Sequence, residues 1–87
     1  DYKHRQVTHG SDYIGLSKKE FATFECLVDS SGMLVSKSNL IDFVYGVGEG
    51  VNDTTLEVLI SRLRKKVSAY GIQVNMVRGL GYYLKAE

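Results

Sequence analysis

The 87-residue chain is short of the residue types that most small proteins use to build chemistry: one cysteine, Cys26, and two histidines, His4 and His9. A single cysteine forms no internal disulfide, and with only two histidines beside it there is no ligand set for structural zinc. No run of about 18 apolar residues is present to span a bilayer as a helix, and the first residues lack the charged, apolar and small-residue succession of an export signal. The expectation is a cytoplasmic protein whose Cys26 is a partly buried thiol and not a redox switch.

Catalytic groupings are missing as well. No Ser/His/acid or Cys/His set lies on converging elements, since His4 and His9 fall near the start, far in sequence from Cys26. Gly46-Val47-Gly48-Glu49-Gly50 has the glycine content of a phosphate-binding loop, but no Lys-Ser/Thr pair follows it. No parallel βαβ unit surrounds it, and Glu49 would repel a phosphate. The chain is therefore read as a non-enzyme without a cofactor or metal.

The most informative absence is of acid. From Val58 to Ala86 there is no Asp or Glu against six basic residues (Arg62, Arg64, Lys65, Lys66, Arg78, Lys85), whereas the residues before Val58 carry five Lys/Arg against nine Asp/Glu. Such segregation in a chain of net charge +1 implies a face directed at a polyanion.

What is present fits one small α+β domain near the lower size limit for a self-sufficient core. Because the chain opens at Asp1, without Met, it is expected to be an excised part of a longer protein. Lys3 to Thr8 and Tyr13 to Leu16, flanking His9-Gly10-Ser11-Asp12, predict a hairpin within an N-terminal strand region, residues 1–16. Ser17-Lys18-Lys19-Glu20 fits a capping box, and Phe21, Phe24, Leu27 and Val28 form a helical stripe that stops at Ser30-Ser31-Gly32. Met33-Leu34-Val35 reads as an apolar link. Ser36 with Asn39 caps a second helix of about two and a half turns through Leu40, Ile41 and Val44, and the glycines of 46–50 end it in a loop. Thr54-x-x-Glu57 offers a further capping box. Leu56, Ile60, Leu63 and Val67 then repeat at helical spacing, predicting a third helix to about Tyr70 and completing a three-helix core over residues 17–70. Alternation from Ile72, the Gly79-Leu80-Gly81 turn and a strand from Tyr82 to Lys85 predict a closing hairpin, residues 71–87.

With the Leu56/Ile60/Leu63/Val67 stripe turned inward at about 100° per residue, Thr54, Val58, Ser61, Arg62 and Lys65 share the opposite face, flanked by Arg64 and Lys66. An arginine there can donate two bonds to guanine and Val58 can meet a thymine methyl in a major groove, while Arg64, Lys65 and Lys66 hold phosphates. Taken alone, the same Lys and Arg also fit a solvated helix face. Arg78 at the hairpin tip suits a narrow minor groove or a plain solvent-facing turn. Tyr82 and Tyr83 point to opposite sides of their strand, so one of them is expected to be free.

These elements in this order resemble the winged-helix effector domain of OmpR/PhoB-type response regulators. The resemblance rests on Leu16-Ser17-x-x-Glu20-Phe21, Gly32-x-Leu34-Val35-Ser36-Lys37, Leu40-Ile41-x-x-Val44-Tyr45, Leu56-Glu57-Val58-x-Ile60-x-Arg62-Leu63-Arg64-Lys65-Lys66 and Val77-Arg78-Gly79-x-Gly81-Tyr82-x-Leu84. The run Thr55 to Val58 is similar to the PmrA/QseB branch. The resemblance implies a bacterial two-component transcription regulator with a winged helix-turn-helix fold: N-terminal antiparallel strands, three helices and a C-terminal β-hairpin wing. It implies sequence-specific binding of double-stranded promoter DNA, as a tandem pair on direct repeats. Residues 54–68 would lie in the major groove and Arg78 in the minor groove. Contacts to phosphate or base are implied for Thr55, Val58, Arg62, Arg64, Arg78 and Tyr82, with Tyr45 at an aromatic position that touches the backbone and Lys65 and Lys66 at basic positions. It further implies RNA polymerase contact through loop 46–51 and an N-terminal receiver domain outside this sequence. The chain departs from the family's usual His at Leu59, Arg near Thr54, Trp at Tyr45 and Thr at Met76, so several customary phosphate ligands are absent or weakened. Half of the usual N-terminal sheet also has no counterpart, which predicts poor cover for Thr23 and Cys26. The competing reading is a winged-helix protein-interaction module that uses Val58 and loop 46–51.

Overall fold

The structure, a computed structural model, describes residues 7–9 and 12–86, with strands β1 (Val7–His9) and β2 (Asp12–Ile14) first. They pair antiparallel from Val7 opposite Ile14 to His9 opposite Asp12. The hairpin expected at the N-terminus is thus present among the described residues, with His9 and Asp12 paired in its strands and not in its turn. Its second strand stops before Leu16, while Lys3 to Gln6, Gly10 and Ser11 lie outside the described residues.

Helix α1 (Lys18–Asp29) starts where the capping box places it: Ser17 Oγ accepts from Glu20 N, and Glu20 Oε1 accepts from Ser17 N at 2.8 Å. Phe21, Phe24 and Leu27 are buried as expected, but Val28 is 42% exposed, because it sits at the edge of the stripe. Thr23 is fully buried, contrary to the expectation of poor cover. Its hydroxyl donates to Lys19 O at 2.8 Å, so the polar group enters the core with its bond satisfied. Cys26 is half-buried.

The Met33-Leu34-Val35 link is only partly a link. Val35 and Ser36 form strand β3 (Val35–Ser36), with Val35 buried and Met33 and Leu34 exposed. Helix α2 (Lys37–Tyr45) follows, capped by Ser36 as expected. Helix α3 (Asp53–Ser68) is capped by Asn52, whose Oδ1 accepts from Thr55 N at 3.0 Å. This corrects the Thr54-x-x-Glu57 box: the cap and the helix start lie two residues earlier, leaving Thr54 and Glu57 inside the helix. Its end at Ser68 also precedes Tyr70, which lies in the following turn.

Strands β4 (Ile72–Val77) and β5 (Gly81–Ala86) close the hairpin, and β3 joins its other side to give the order β3-β5-β4, all antiparallel. Gly81 makes this arrangement possible. A Cβ built there would lie 2.0 Å from Val35 O, so only glycine admits the close approach of β3 to β5. Between this sheet and the helices, Leu27, Leu40, Leu56, Leu63 and Val67 are wholly removed from water. Each fully buried aliphatic side chain contributes up to about 1.5–3 kcal/mol, so these residues, with Phe21, Phe24 and Ile60 buried beside them, supply the fold's main apolar stabilisation. Val74 and Tyr82 seal it from the sheet side.

Candidate nucleic-acid interface

Burying Leu56, Ile60, Leu63 and Val67 leaves the opposite side of α3 in water, and Thr54, Thr55, Val58, Ser61, Arg62 and Lys65 are all exposed there. Val58 is 46% exposed, an apolar side chain among polar ones. Arg62 and Lys65 have no side-chain partner among the described residues, so their donors are free for an external acceptor.

Arg64 and Lys66 differ, since both are engaged inside the protein. The Nε of Arg64 donates to Val74 O at 3.1 Å, tying α3 to β4. The Lys66 ammonium lies 2.6 Å from Glu20 Oε1, joining α3 to the first turn of α1. Glu20 is 3% exposed. Burial alone would raise its pKa, but the bonds from Lys66 and Ser17 outweigh it and hold the carboxyl below its ordinary value. Glu20 is therefore a buried anion matched by Lys66. Both residues set the attitude of α3, a role that local sequence could not reveal because the partners are 46 positions apart.

The wing is fixed to the same framework. Its tip, residues 78–80, is closed by Leu80 N donating to Val77 O at 2.9 Å, with Gly79 at φ 77° in the left-handed region. Leu80 O accepts from Lys37 N at 3.2 Å, so the tip hangs from the start of α2. The Lys37 ammonium in turn reaches Asp53 Oδ2 at 2.7 Å, linking α2 to the first turn of α3. That bond raises the pKa of Lys37, which stays cationic. The sequence pattern does not mark Lys37 as a site residue, because its partner Asp53 lies across a glycine loop. Arg78 projects from the tip, exposed and without a partner among the described residues.

Tyr82 departs from the expectation of an available phosphate ligand. It is 2% exposed and belongs to the core, whereas Tyr83 is the half-buried member of the pair. Tyr82 also lines a cleft with Lys37, Glu57 and Arg78. Burial first, then the charge of Glu57, raises its pKa, so the hydroxyl is a protonated donor at neutral pH.

On the other flank of α3, Thr54, Thr55, Val58, Leu59 and Arg62 line a cleft of about 530 Å³ with Tyr45 and residues 17–20. Lys19 places its ammonium 4.8 Å from the centre of the Tyr45 ring. Leu59, at the position where a histidine is usual, is 7% exposed and packs inward. The outer face of α3 and the wing tip are thus held in one frame, with free cations at Arg62, Lys65 and Arg78. Among the described residues no helix is long and apolar enough to cross a membrane, and no group of His, Cys, Asp and Glu could hold a metal.

Comparison with known proteins agrees with this geometry. Residues 10–84 match the family described as "Transcriptional regulatory protein, C terminal". The response regulator MprA of Mycobacterium sp. (strain KMS) is 36% identical over 83 residues, which are 93% of this chain and 36% of that protein. The chain spans about a third of such relatives. The DNA-binding domain of Klebsiella pneumoniae RstA, solved in complex with the RstA box, superposes with a TM-score of 0.81 at 30% identity, covering 95% of this chain and 85% of that one. The DNA-binding domain of Bacillus subtilis CssR shares the fold, with a TM-score of 0.85 at 24% identity over 98% of this chain and 96% of its own.

Proposed function

The chain belongs to the family of C-terminal domains of transcriptional regulatory proteins, and from that premise we propose that it binds double-stranded promoter DNA sequence-specifically, as the effector part of a two-component response regulator. Helix α3 enters the major groove, with Arg62 and Val58 toward base edges and Thr54, Thr55, Ser61 and Lys65 toward the backbone. Arg78 enters the adjacent minor groove, and Tyr45 meets a phosphate beside the first contact. Arg64 and Lys66 act chiefly by orienting α3, and Tyr82 can contribute only its hydroxyl. The observation that carries the reading is the free, exposed pair Arg62 and Val58 on the outer face of a helix whose inner face is fully buried.

The test compares Arg62→Ala and Lys65→Ala on a selected duplex and a scrambled copy. Loss of Arg62 should cost about 1–3 kcal/mol on the selected duplex and relax preference at one base pair, whereas loss of Lys65 should weaken both duplexes alike. Equal losses for Arg62→Ala on the two duplexes would remove it from base reading.

A protein contact through loop 46–51, with RNA polymerase as the partner, is favoured separately by Val47, 81% exposed at the loop tip, and Phe43, 51% exposed on α2. It predicts that Val47→Ser reduces transcriptional activation while leaving DNA affinity unchanged.

A further inference from the structure

We propose that Lys18 and Lys19, in the first turn of α1, form a second backbone-phosphate seat on the far side of the cleft from α3; the proposal rests on the DNA-binding reading above. The charge pattern of the sequence locates the basic face between Val58 and Ala86 and leaves these two lysines out. In the fold they come to the same place. Lys18, Lys19 and Tyr45 line one wall of the cleft whose other wall is Thr55, Val58 and Arg62. A duplex backbone passing along this flank of α3 meets both walls.

Three observations point the same way. First, both lysines are exposed and carry no ion pair among the described residues. Lys19 instead lies over the Tyr45 ring at 4.8 Å, which fixes its ammonium at the cleft while leaving its donors free. Second, Glu20, the one carboxylate lining the cleft among the described residues, is already matched by Lys66 and cannot neutralise them.

Third, their position is electrostatically wrong for a purely structural helix. The N-terminus of a helix carries partial positive charge and disfavours cations, while the C-terminus disfavours anions. Helix α1 has Lys18 and Lys19 at its first two positions, Asp29 at its last and no basic residue in its final turn, and its one favourable first-turn charge, Glu20, is taken up by the capping box and by Lys66. In α3 the charges run the favourable way, with Asp53 at the start and Lys65 and Lys66 at the end. Local rules broken in one helix and kept in its neighbour mark a functional demand at the first. Here the dipole of α1 and its two lysines add to the positive potential at the same cleft.

The test uses the full chain as Lys18→Gln/Lys19→Gln, titrated against a selected duplex and a scrambled one across a range of salt, with thermal unfolding measured alongside. Removing two phosphate ligands should lower the slope of log affinity against log salt by about two and weaken both duplexes by the same factor. The unfolding midpoint should stay or rise, because relief at the helix start offsets the missing ring contact. Lys18→Arg/Lys19→Arg should restore the slope. An unchanged slope, or a loss confined to the selected duplex, would overturn the seat. If the unsubstituted chain itself binds neither duplex, the DNA reading fails instead, and the two failures are distinguished by that control.

Discussion

Glu20 is the residue at which capping and interhelix attachment meet. One carboxylate accepts the Ser17 amide that starts α1 and the Lys66 ammonium that holds α3. Its pKa is depressed in the folded state, so the stability it contributes is fully present above the ordinary glutamate range and is lost as pH falls through the lower folded value. The urea midpoint of the chain should therefore drop on acidification below the ordinary glutamate range, and Glu20→Gln should flatten that acid limb. Lys66→Ala should cost about 1.5–3 kcal/mol at neutral pH, the range for losing a hydrogen bond to a charged group. An unaltered midpoint would show the pair to be incidental. Gly81 sets an equally local demand. Gly81→Ala forces Cβ against the Val35 carbonyl and should destabilise by about 1–3 kcal/mol or more, read as a lower urea midpoint at constant slope.

Among the elements, helix starts show what a sequence can and cannot say. Ser17 and Ser36 are legible as caps because each is followed three residues on by the amide it serves. At α3 two candidate caps stand close together, Asn52 and Thr54, and the Thr54 to Glu57 spacing favours the wrong one. The apolar stripe from Leu56 fits either start. Asn52→Ala should cost about 0.5–2 kcal/mol, whereas Thr54→Ala should be neutral or slightly stabilising, since it replaces an exposed helix-interior threonine by a better helix former. Paired urea unfolding curves check the order. Strand β3 is not legible at all: two residues carry no periodicity, and its partner β5 lies some 45 positions later in the chain. The same reason hides the internal partners of Arg64 and Lys66. Alternation tells that Tyr82 and Tyr83 face opposite ways, but only the packing of β5 against the helices decides that Tyr82 is the buried one.

Over the whole molecule, a net charge of +1 conceals a directional layout. The free cations of α3 and the wing tip lie outward, the carboxylates Glu20 and Asp53 are tied to Lys66 and Lys37, Glu57 lies beside Arg78 at the wing cleft, and α1 points its two lysines at the other flank. A near-neutral chain can thus present a cationic face without carrying the self-repulsion of a strongly basic protein. The segregation of charge and the core stripe of α3 are readable in sequence, whereas the part of the face supplied by α1 needs the fold. On this layout the face reads sequence and does not merely attract polyanions. The most direct test is selection of bound duplexes from a random library, followed by salt titration of the selected duplex against a scrambled copy. The expected result is an enriched, repeated half-site held more tightly than the scrambled duplex at every salt concentration, with affinity falling by a slope of about 0.9 per phosphate contact. No enrichment, with equal weak binding to both duplexes, would contradict it.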